Sequence, residues 1–220
     1  MVIDPYLSES LTTKYAGTTK PHIRMTAAPL RGEDLTEVDW VLVSHKHSDH
    51  LDPETTPALL NASPRAKLIL PASLVEHARG LGVDPRRMRP LDAGETFTVP
   101  GLSVRAVASA HELLETDELG QQLYLGFLFE TAGVRCYHSG DTVAYDGLAK
   151  ALGPQPIDAL FLPINGRDPT RGVAGNMSAA EAVVLAAQVR ARVLVPHHYD
   201  MFTFNTVPVE TVVEAAKAVR

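Results

Sequence analysis

The feature that most constrains this chain is an apolar strand that runs directly into a cluster of metal-binding side chains. The predicted strand covers residues 39–44 and leads into an H-x-H-x-D-H motif, formed by His45, His47, Asp49 and His50. Loops that follow such strands usually carry the catalytic groups of a protein. Imidazole combined with carboxylate suits zinc, iron or manganese, and such mixed sets are typical of catalytic metal sites. The alternative is a histidine-rich polar loop, in which this spacing would have to arise by chance.

Length, charge and cysteine content limit the classes of protein to which the chain can belong. Its 220 residues, 45% of them hydrophobic, can bury a substantial core, and residues 1–220 are predicted to form a single domain. The net charge of -6 argues against a nucleic-acid partner, because backbone phosphates are bound by many Lys and Arg side chains. With Cys136 as the only cysteine, histidines and carboxylates must hold any metal. No membrane span or signal peptide is recognisable, so we expect a cytoplasmic protein.

The spacing of apolar residues predicts strands and helices after a turn-rich first segment. Strands are predicted at 39–44, 66–70, 96–99, 102–109, 123–130, 134–138, 159–162 and 193–195. Helices are predicted at about 53–60, 73–80, 144–152, 179–190 and 208–219. Capping boxes, Ser73 with Glu76 and Ser178 with Glu181, are predicted to open two of these helices. The pattern favours a mixed α/β fold in which helices are layered over sheets.

Three further metal-competent side chains each follow a predicted strand far from the first cluster in sequence. They are His111, Asp141 and His198. One metal needs three or four ligands, so the candidates suffice for two metals, with Asp141 as the natural bridge. Spacing alone does not distinguish His198 from His197 as the ligand.

The remaining histidines have no comparable setting. His22, His77 and His138 are predicted to be structural, and His77 falls within a predicted helix. His138 or His197 could still donate a hydrogen bond beside the metal centre.

Together these residues resemble the metal-binding framework of the metallo-β-lactamase superfamily. Shorter segments resemble the branch of that superfamily that contains L-ascorbate-6-phosphate lactonase. They are Ile3-Asp4-Pro5-Tyr6-Leu7, Ser109-Ala110-His111-Glu112, Ser139-Gly140-Asp141-Thr142, Leu162-Pro163-Ile164-Asn165-Gly166, Asn176-Met177-Ser178 with Glu181-Ala182, and Pro196-His197-His198-Tyr199. The similarity extends from residue 3 to about residue 204.

The resemblance implies a four-layer αβ/βα sandwich, in which two facing sheets are covered by helices. It also implies that the ligand of the Pro-x-His segment is His198 rather than His197. One metal would be held by His45, His47 and His111, the second by Asp49, His50 and His198, and Asp141 would be shared.

Relatives in this branch usually carry an N-terminal β-hairpin ahead of the Asp-Pro-Tyr segment. This chain begins almost at that segment, so we expect the hairpin to be shortened. A missing hairpin would expose an edge strand, which proteins normally cover or pair. We therefore expect the chain either to form a homo-oligomer, such as a dimer, or to be only marginally stable.

The implied reaction is hydrolysis at a centre of two divalent ions, zinc or manganese with iron as a further possibility. In such a centre a bridging hydroxide attacks the substrate. The candidate catalytic carboxylates are Asp49, which would orient the hydroxide, and Asp141, which would bridge the ions. The expected substrate is a small lactone or ester, and a phosphodiesterase or a non-catalytic metal-binding domain is the alternative.

Substrate selection is expected to depend on the Gly-rich loop 164–177. Asn165, Arg167 and Asn176 are the candidate substrate-binding residues in this loop. A guanidinium such as that of Arg167 could bind a phosphate or carboxylate in bidentate fashion. The alternative is that the arginine is a solvated loop charge.

Overall fold

The computed structural model describes residues 1–219 as two β-sheets packed face to face between helices. The strands are β1 (Val2–Ile3), β2 (Trp40–Leu42), β3 (Lys67–Pro71), β4 (Met88–Leu91), β5 (Thr96–Val99), β6 (Leu102–Ala108), β7 (Leu125–Thr131), β8 (Val134–His138), β9 (Ala159–Pro163) and β10 (Val193–His197). The helices are α1 (Ser10–Lys14), α2 (Thr55–Ala62), α3 (Val75–Gly80), α4 (Leu148–Leu152), α5 (Ala179–Gln188) and α6 (Glu210–Ala218). The predicted four-layer sandwich is confirmed.

The two sheets differ in strand direction. The first has the order β1-β2-β3-β4, and all its neighbouring strands are parallel. The second has the order β10-β9-β8-β7-β6-β5; its β5 to β8 pairs are antiparallel, whereas β8, β9 and β10 are parallel. Strands β6, β8 and β10 therefore run in the same direction, and their carboxyl ends lie along one edge of the second sheet.

Neighbouring side chains of β2 point into two different cores, which shows how the sequence produces the layers. Val41 packs in a buried cluster with Leu59 of α2, whereas Leu42 packs in a different cluster with Phe127 of the second sheet. Successive side chains of a strand point to opposite faces, so one strand contributes to both cores. Full burial of each such side chain stabilises the fold by about 1.5–3 kcal/mol.

The helices of this fold are short. The longest, α5, has 10 residues and begins with the predicted capping box: Ser178 Oγ accepts the Glu181 N–H, and the Glu181 carboxylate accepts the Ser178 N–H. Among residues 1–219, no helix has the length and apolar content needed to cross a bilayer.

Two helix predictions need correction. The capping box predicted at Ser73 is wrong, because Ser73 Oγ donates to the carbonyl of Gln122 and α3 begins at Val75 after a short 3-10 turn. The helix predicted from about residue 144 begins only at Leu148, after Gly147 in a left-handed conformation. In both places a local signal for helix initiation is overridden by a contact or a turn.

Candidate metal centre

Four chain segments bring seven side chains together at the carboxyl edge of the sheets. The loop after β2 supplies four of them, and the segments after β6, β8 and β10 supply one each. They form two groups, and within each group the candidate ligand atoms lie within 4.8 Å of one another. We call His45, His47 and His111 the first triad, and Asp49, His50 and His198 the second triad; Asp141 is grouped with the first triad.

The Asp141 carboxylate lies between the two triads. Its Oδ2 atom is 3.6 Å from Nε2 of His111, in the first triad. The same oxygen is 3.5 Å from Nε2 of His50 and 3.2 Å from Nε2 of His198, both in the second triad. One buried oxygen is therefore close to imidazole nitrogens of both groups, as a bridging ligand requires.

The first triad is oriented by uncharged partners. Nε2 of His45 and Nδ1 of His47 lie 3.0 Å apart and face the same small volume. On its other side the His45 ring lies 2.9 Å from Ser44 Oγ, and Nδ1 of His111 lies 3.1 Å from the Gly175 carbonyl oxygen. A carbonyl accepts only, so His111 donates from Nδ1 to Gly175 and its Nε2 faces Asp141.

A carboxylate that the sequence analysis did not select, Asp4, supports both triads. Its Oδ2 lies 2.8 Å from Nδ1 of His50 and accepts the Ser44 hydroxyl at 2.6 Å, while its Oδ1 accepts the Ser44 backbone N–H at 2.7 Å. It therefore contacts one ligand directly and reaches His45 through Ser44. In the sequence, Asp4 stands out only as part of the resemblance. Its contacts with His50 and Ser44 depend on the pairing of β1 with β2, which the local sequence does not predict.

Burial keeps two rings of the first triad neutral, those of His45 and His47. Together with the nearby His50 ring, it holds the pKa of His45 well below the usual value. Burial and the adjacent His111 ring lower the pKa of His47 to about 4. Both rings are therefore neutral at physiological pH and offer a free lone pair, the form that binds a metal.

Carboxylates have the opposite effect on the second triad. Burial would lower the pKa of His50, but Asp141 and Asp4 outweigh it and hold this pKa well above the usual value. Asp141 likewise outweighs burial and raises the pKa of His198. Burial would raise the pKa of Asp141, but the two histidines hold it well below its usual range. A metal that binds the second triad must therefore displace protons.

The donor set fits divalent metal ions. Buried polar atoms normally have a hydrogen-bond partner, yet His50 Nε2 and Asp141 Oδ1 have none within residues 1–219. Imidazole nitrogens and carboxylate oxygens that converge without partners are the ligands preferred by zinc, manganese and iron. These residues could therefore hold metal.

A groove of about 440 Å³ opens onto both triads. At its inner end it is lined by His47, Asp49, His111, Asp141 and His198. Asn176 also lines it, is 1% exposed, and has no hydrogen-bond partner for either amide atom among the described residues. Its amide is therefore free to bind a polar group of a ligand.

The other two predicted substrate-binding residues do not line this groove. Asn165 is 2% exposed and donates its amide to Asn205 at 2.9 Å. Arg167 pairs with Glu181 at the start of α5. The structure thus brings one of the three candidates, Asn176, to the centre.

The histidines outside the two triads occupy several settings. His138 and His197 stack with ring centroids 4.8 Å apart beside the second triad, and burial lowers the pKa of both. His22 stacks on Tyr15, 4.1 Å away, and both rings line the groove together with His77. Spacing along the chain carries no signal for these positions, since loop packing brings them to the site.

Comparison with known proteins places the chain among metallo-hydrolase-like folds. A family described as the beta-lactamase superfamily domain matches residues 1–199. A probable L-ascorbate-6-phosphate lactonase of Salmonella heidelberg is 27% identical over 205 residues, which cover 86% of this chain and 57% of the relative. A protein of the same name from Shigella boydii is 27% identical over 213 residues, covering 90% of this chain and 60% of the relative. The chain thus spans less than two thirds of the length of these relatives.

Solved structures share the fold. An isothiocyanate hydrolase from Delia radicum gut bacteria superposes with a TM-score of 0.74 at 23% identity, covering 99% of this chain and 85% of that one. Igni18, a metallo hydrolase from Ignicoccus hospitalis, superposes with a TM-score of 0.68 at 18% identity, covering 99% of this chain and 83% of that one. At these identities the similarity concerns the fold alone.

Proposed function

From the premise that this chain belongs to the beta-lactamase superfamily domain family, we propose that it is a metal-dependent hydrolase of small lactones or esters. The seven residues of the two triads and Asp141 would hold two divalent ions. Zinc and manganese suit this donor set best, and iron is compatible with it.

The observation that carries this proposal is the position of Asp141. One carboxylate oxygen lies 3.2 Å to 3.6 Å from ring nitrogens of His50, His111 and His198, which belong to both triads. Asp141 is 3% exposed, so this carboxylate is removed from water and needs positive charge to balance it. A purely structural cluster would leave buried nitrogens and oxygens unpaired, at a cost of about 1–3 kcal/mol each.

Bound divalent ions supply Lewis-acid polarisation of the scissile group and a water nucleophile that is active at neutral pH. Asp49 is suited to orient that water and accept its proton, because its Oδ2 lies 3.8 Å from His50 Nε2 and 3.7 Å from His198 Nε2 at the groove. The stacked pair of His138 and His197 lies beside the second triad, and both rings line a cavity of about 780 Å³ together with Asp49, His50 and His198.

The groove favours a small polar substrate. The Asn176 amide, with a free donor and a free acceptor, would bind a carbonyl or hydroxyl group next to the reacting atoms. A lactone or compact ester has such groups and fits a cavity of about 440 Å³. The lactonase name of the relatives supports the same substrate class.

A phosphodiesterase is the second candidate, favoured by two exposed cations. Lys14 and Lys46 line the outer part of the groove, where an ammonium group can attract a phosphate. The same dinuclear chemistry can serve acyl and phosphoryl centres.

A substrate panel separates the two candidates. Protein stripped of metal and then supplied with Mn²⁺ or Zn²⁺ would be tested on lactones, aryl esters, bis(p-nitrophenyl) phosphate and p-nitrophenyl phosphate. We expect turnover of lactones or esters, loss of turnover with a chelator, and recovery on adding metal back. Turnover of the phosphodiester without any lactone or ester would replace the first candidate with the second.

Asn176→Ala tests the substrate contact, with Asn165→Ala as the matched control. Both residues are buried asparagines in the same loop, but only Asn176 lines the groove. We expect Asn176→Ala to raise KM and Asn165→Ala to leave KM unchanged. Equal effects on KM would contradict the Asn176 role.

A further inference from the structure

Glu112 has a backbone conformation that a glutamate rarely adopts. Its φ is +81°, in the left-handed region that favours glycine. It directly follows the first-triad ligand candidate His111 in the segment after β6. Strain of this kind is commonly retained where a side chain is needed in that position.

The Glu112 side chain forms a hydrogen bond with loop 164–177. Its Oε1 accepts the backbone N–H of Gly175 at 3.0 Å, while the carbonyl of Gly175 accepts the His111 Nδ1–H at 3.1 Å. Two consecutive residues therefore hold both polar backbone groups of one glycine. Gly175 is buried, so its N–H needs a partner inside the protein.

Gly175 is also adjacent to Asn176. The Asn176 backbone N–H donates to the Gly166 carbonyl at 3.1 Å, and its side chain lines the groove beside His111. Any movement of Gly175 would therefore shift the carbonyl that orients His111 and the amide that faces the groove.

We propose that Glu112 is a positioning residue that acts through Gly175 to fix the ring orientation of His111 and the location of the Asn176 amide. The effect on His111 concerns metal binding alone, whereas the effect on Asn176 rests on the proposed function. Partners that orient metal-binding histidines commonly change metal affinity 10–100-fold when removed. Here the partner is a backbone carbonyl, and Glu112 is the group that holds it.

Two substitutions separate the side chain from the backbone strain. Glu112→Gly removes the carboxylate and relieves the left-handed conformation, so the relief of backbone strain offsets part of the thermal stability lost with the partner of the Gly175 N–H. Glu112→Gln keeps an oxygen that can accept the Gly175 N–H. Ala132→Gly is the matched control, because Ala132 also has a positive φ of 50° but lies in the turn between β7 and β8.

The first measurement is the His111 tautomer without metal, from the ¹H–¹⁵N long-range correlations of its imidazole. The second is Co²⁺ titration followed by calorimetry, in which His111→Asn identifies the binding step of the first triad. Glu112→Gly is expected to mix the His111 tautomers and weaken that step about tenfold. Glu112→Gln and Ala132→Gly should retain the wild-type tautomer and affinity.

Wild-type tautomer and Co²⁺ affinity in Glu112→Gly would overturn the positioning role, as would a defect of equal size in Glu112→Gln. At saturating Co²⁺, Glu112→Gly should also raise KM in the manner of Asn176→Ala. Suppose that Glu112→Gly changes the His111 tautomer and weakens first-triad Co²⁺ binding while the wild type turns over none of the substrates. In that case the proposed function fails and the positioning of His111 stands. Turnover that is insensitive to Glu112→Gly, with unchanged metal binding, would refute only the positioning role.

Discussion

Both triads contain histidines, but the pKa values of those histidines are shifted in opposite directions. In the first triad, burial outweighs the surrounding charges and lowers the pKa of His45 and His47, the latter to about 4. In the second, carboxylates outweigh burial and raise the pKa of His50 and His198. Burial disfavours a charged ring unless nearby opposite charge outweighs it. Asp141 attracts protons to both triads, but at His45 and His47 burial has the larger effect, whereas His50 also has Asp4 2.8 Å away.

If the chain binds two metals as proposed, this difference predicts an order of metal loading. In the first triad a metal would meet the neutral rings of His45 and His47, which release no proton when it binds. In the second triad the metal competes with protons on two rings, so binding there depends more steeply on pH. The predictions below test this contrast.

The largest effect is expected from Asp141→Ala, which removes the oxygen near both triads. The variant should bind fewer than two metals and lose about a thousandfold or more in kcat/KM, because bound metals contribute several kcal/mol to catalysis. Metal content by mass spectrometry and hydrolysis of the best substrate would measure both. Asp52→Asn is the control, since Asp52 is a buried carboxylate that bonds Ser10 near the start of α2. Two bound metals in Asp141→Ala would rule out the bridging role.

The pH dependence of metal content tests the contrast directly. Because the pKa values of His50 and His198 are raised, lowering the pH should weaken second-triad binding by about tenfold per pH unit for each proton displaced. The His47 ring, whose pKa is lowered to about 4, should take up a proton only near that pH, so the first triad should lose its metal at a lower pH than the second. Stoichiometry should thus fall from two to one, and then to none, as the pH is lowered. Simultaneous loss of both metals would show that the triads do not differ.

Asp4→Asn should weaken the second triad more than the first. The change replaces the carboxylate that orients the His50 ring, 2.8 Å from its Nδ1, with an amide, and this loss should outweigh the weaker proton competition at His50. We expect metal affinity at the second triad to fall about 10–100-fold. Calorimetric titration in parallel with Asp52→Asn would separate this effect from a general loss of stability. Equal weakening of both binding steps would contradict the asymmetric role of Asp4.

Ser44→Ala should give the smallest effect, larger at the first triad than at the second, because its hydroxyl is nearer to His45 than to His50. It removes the hydroxyl that lies 2.9 Å from His45 Nδ1 and donates to Asp4. A neutral hydrogen bond contributes about 0.5–1.5 kcal/mol, so affinity at the first triad should fall only a few-fold. A larger loss at the second triad than at the first would show that Ser44 acts mainly through Asp4.

Local sequence signals correctly predict helices and strands whose stabilising hydrogen bonds are also local in sequence. The Ser178 capping box is satisfied within four residues and begins α5 as expected. The Ser73 signal failed because its hydroxyl bonds Gln122, which is 49 residues away. Strand β1 was not predicted within the turn-rich first segment, since it exists only through its pairing with β2.

The sequence by itself determined the donor types of the site and their places after β2, β6, β8 and β10, because alternating apolar patterns and strand ends are local properties. Only the tertiary structure decided that Asp4 supports both triads, that Asn176 rather than Arg167 faces the groove, and that the two triads hold protons differently. These outcomes depend on distances between residues far apart in the chain and on burial, which sets how strongly charges interact.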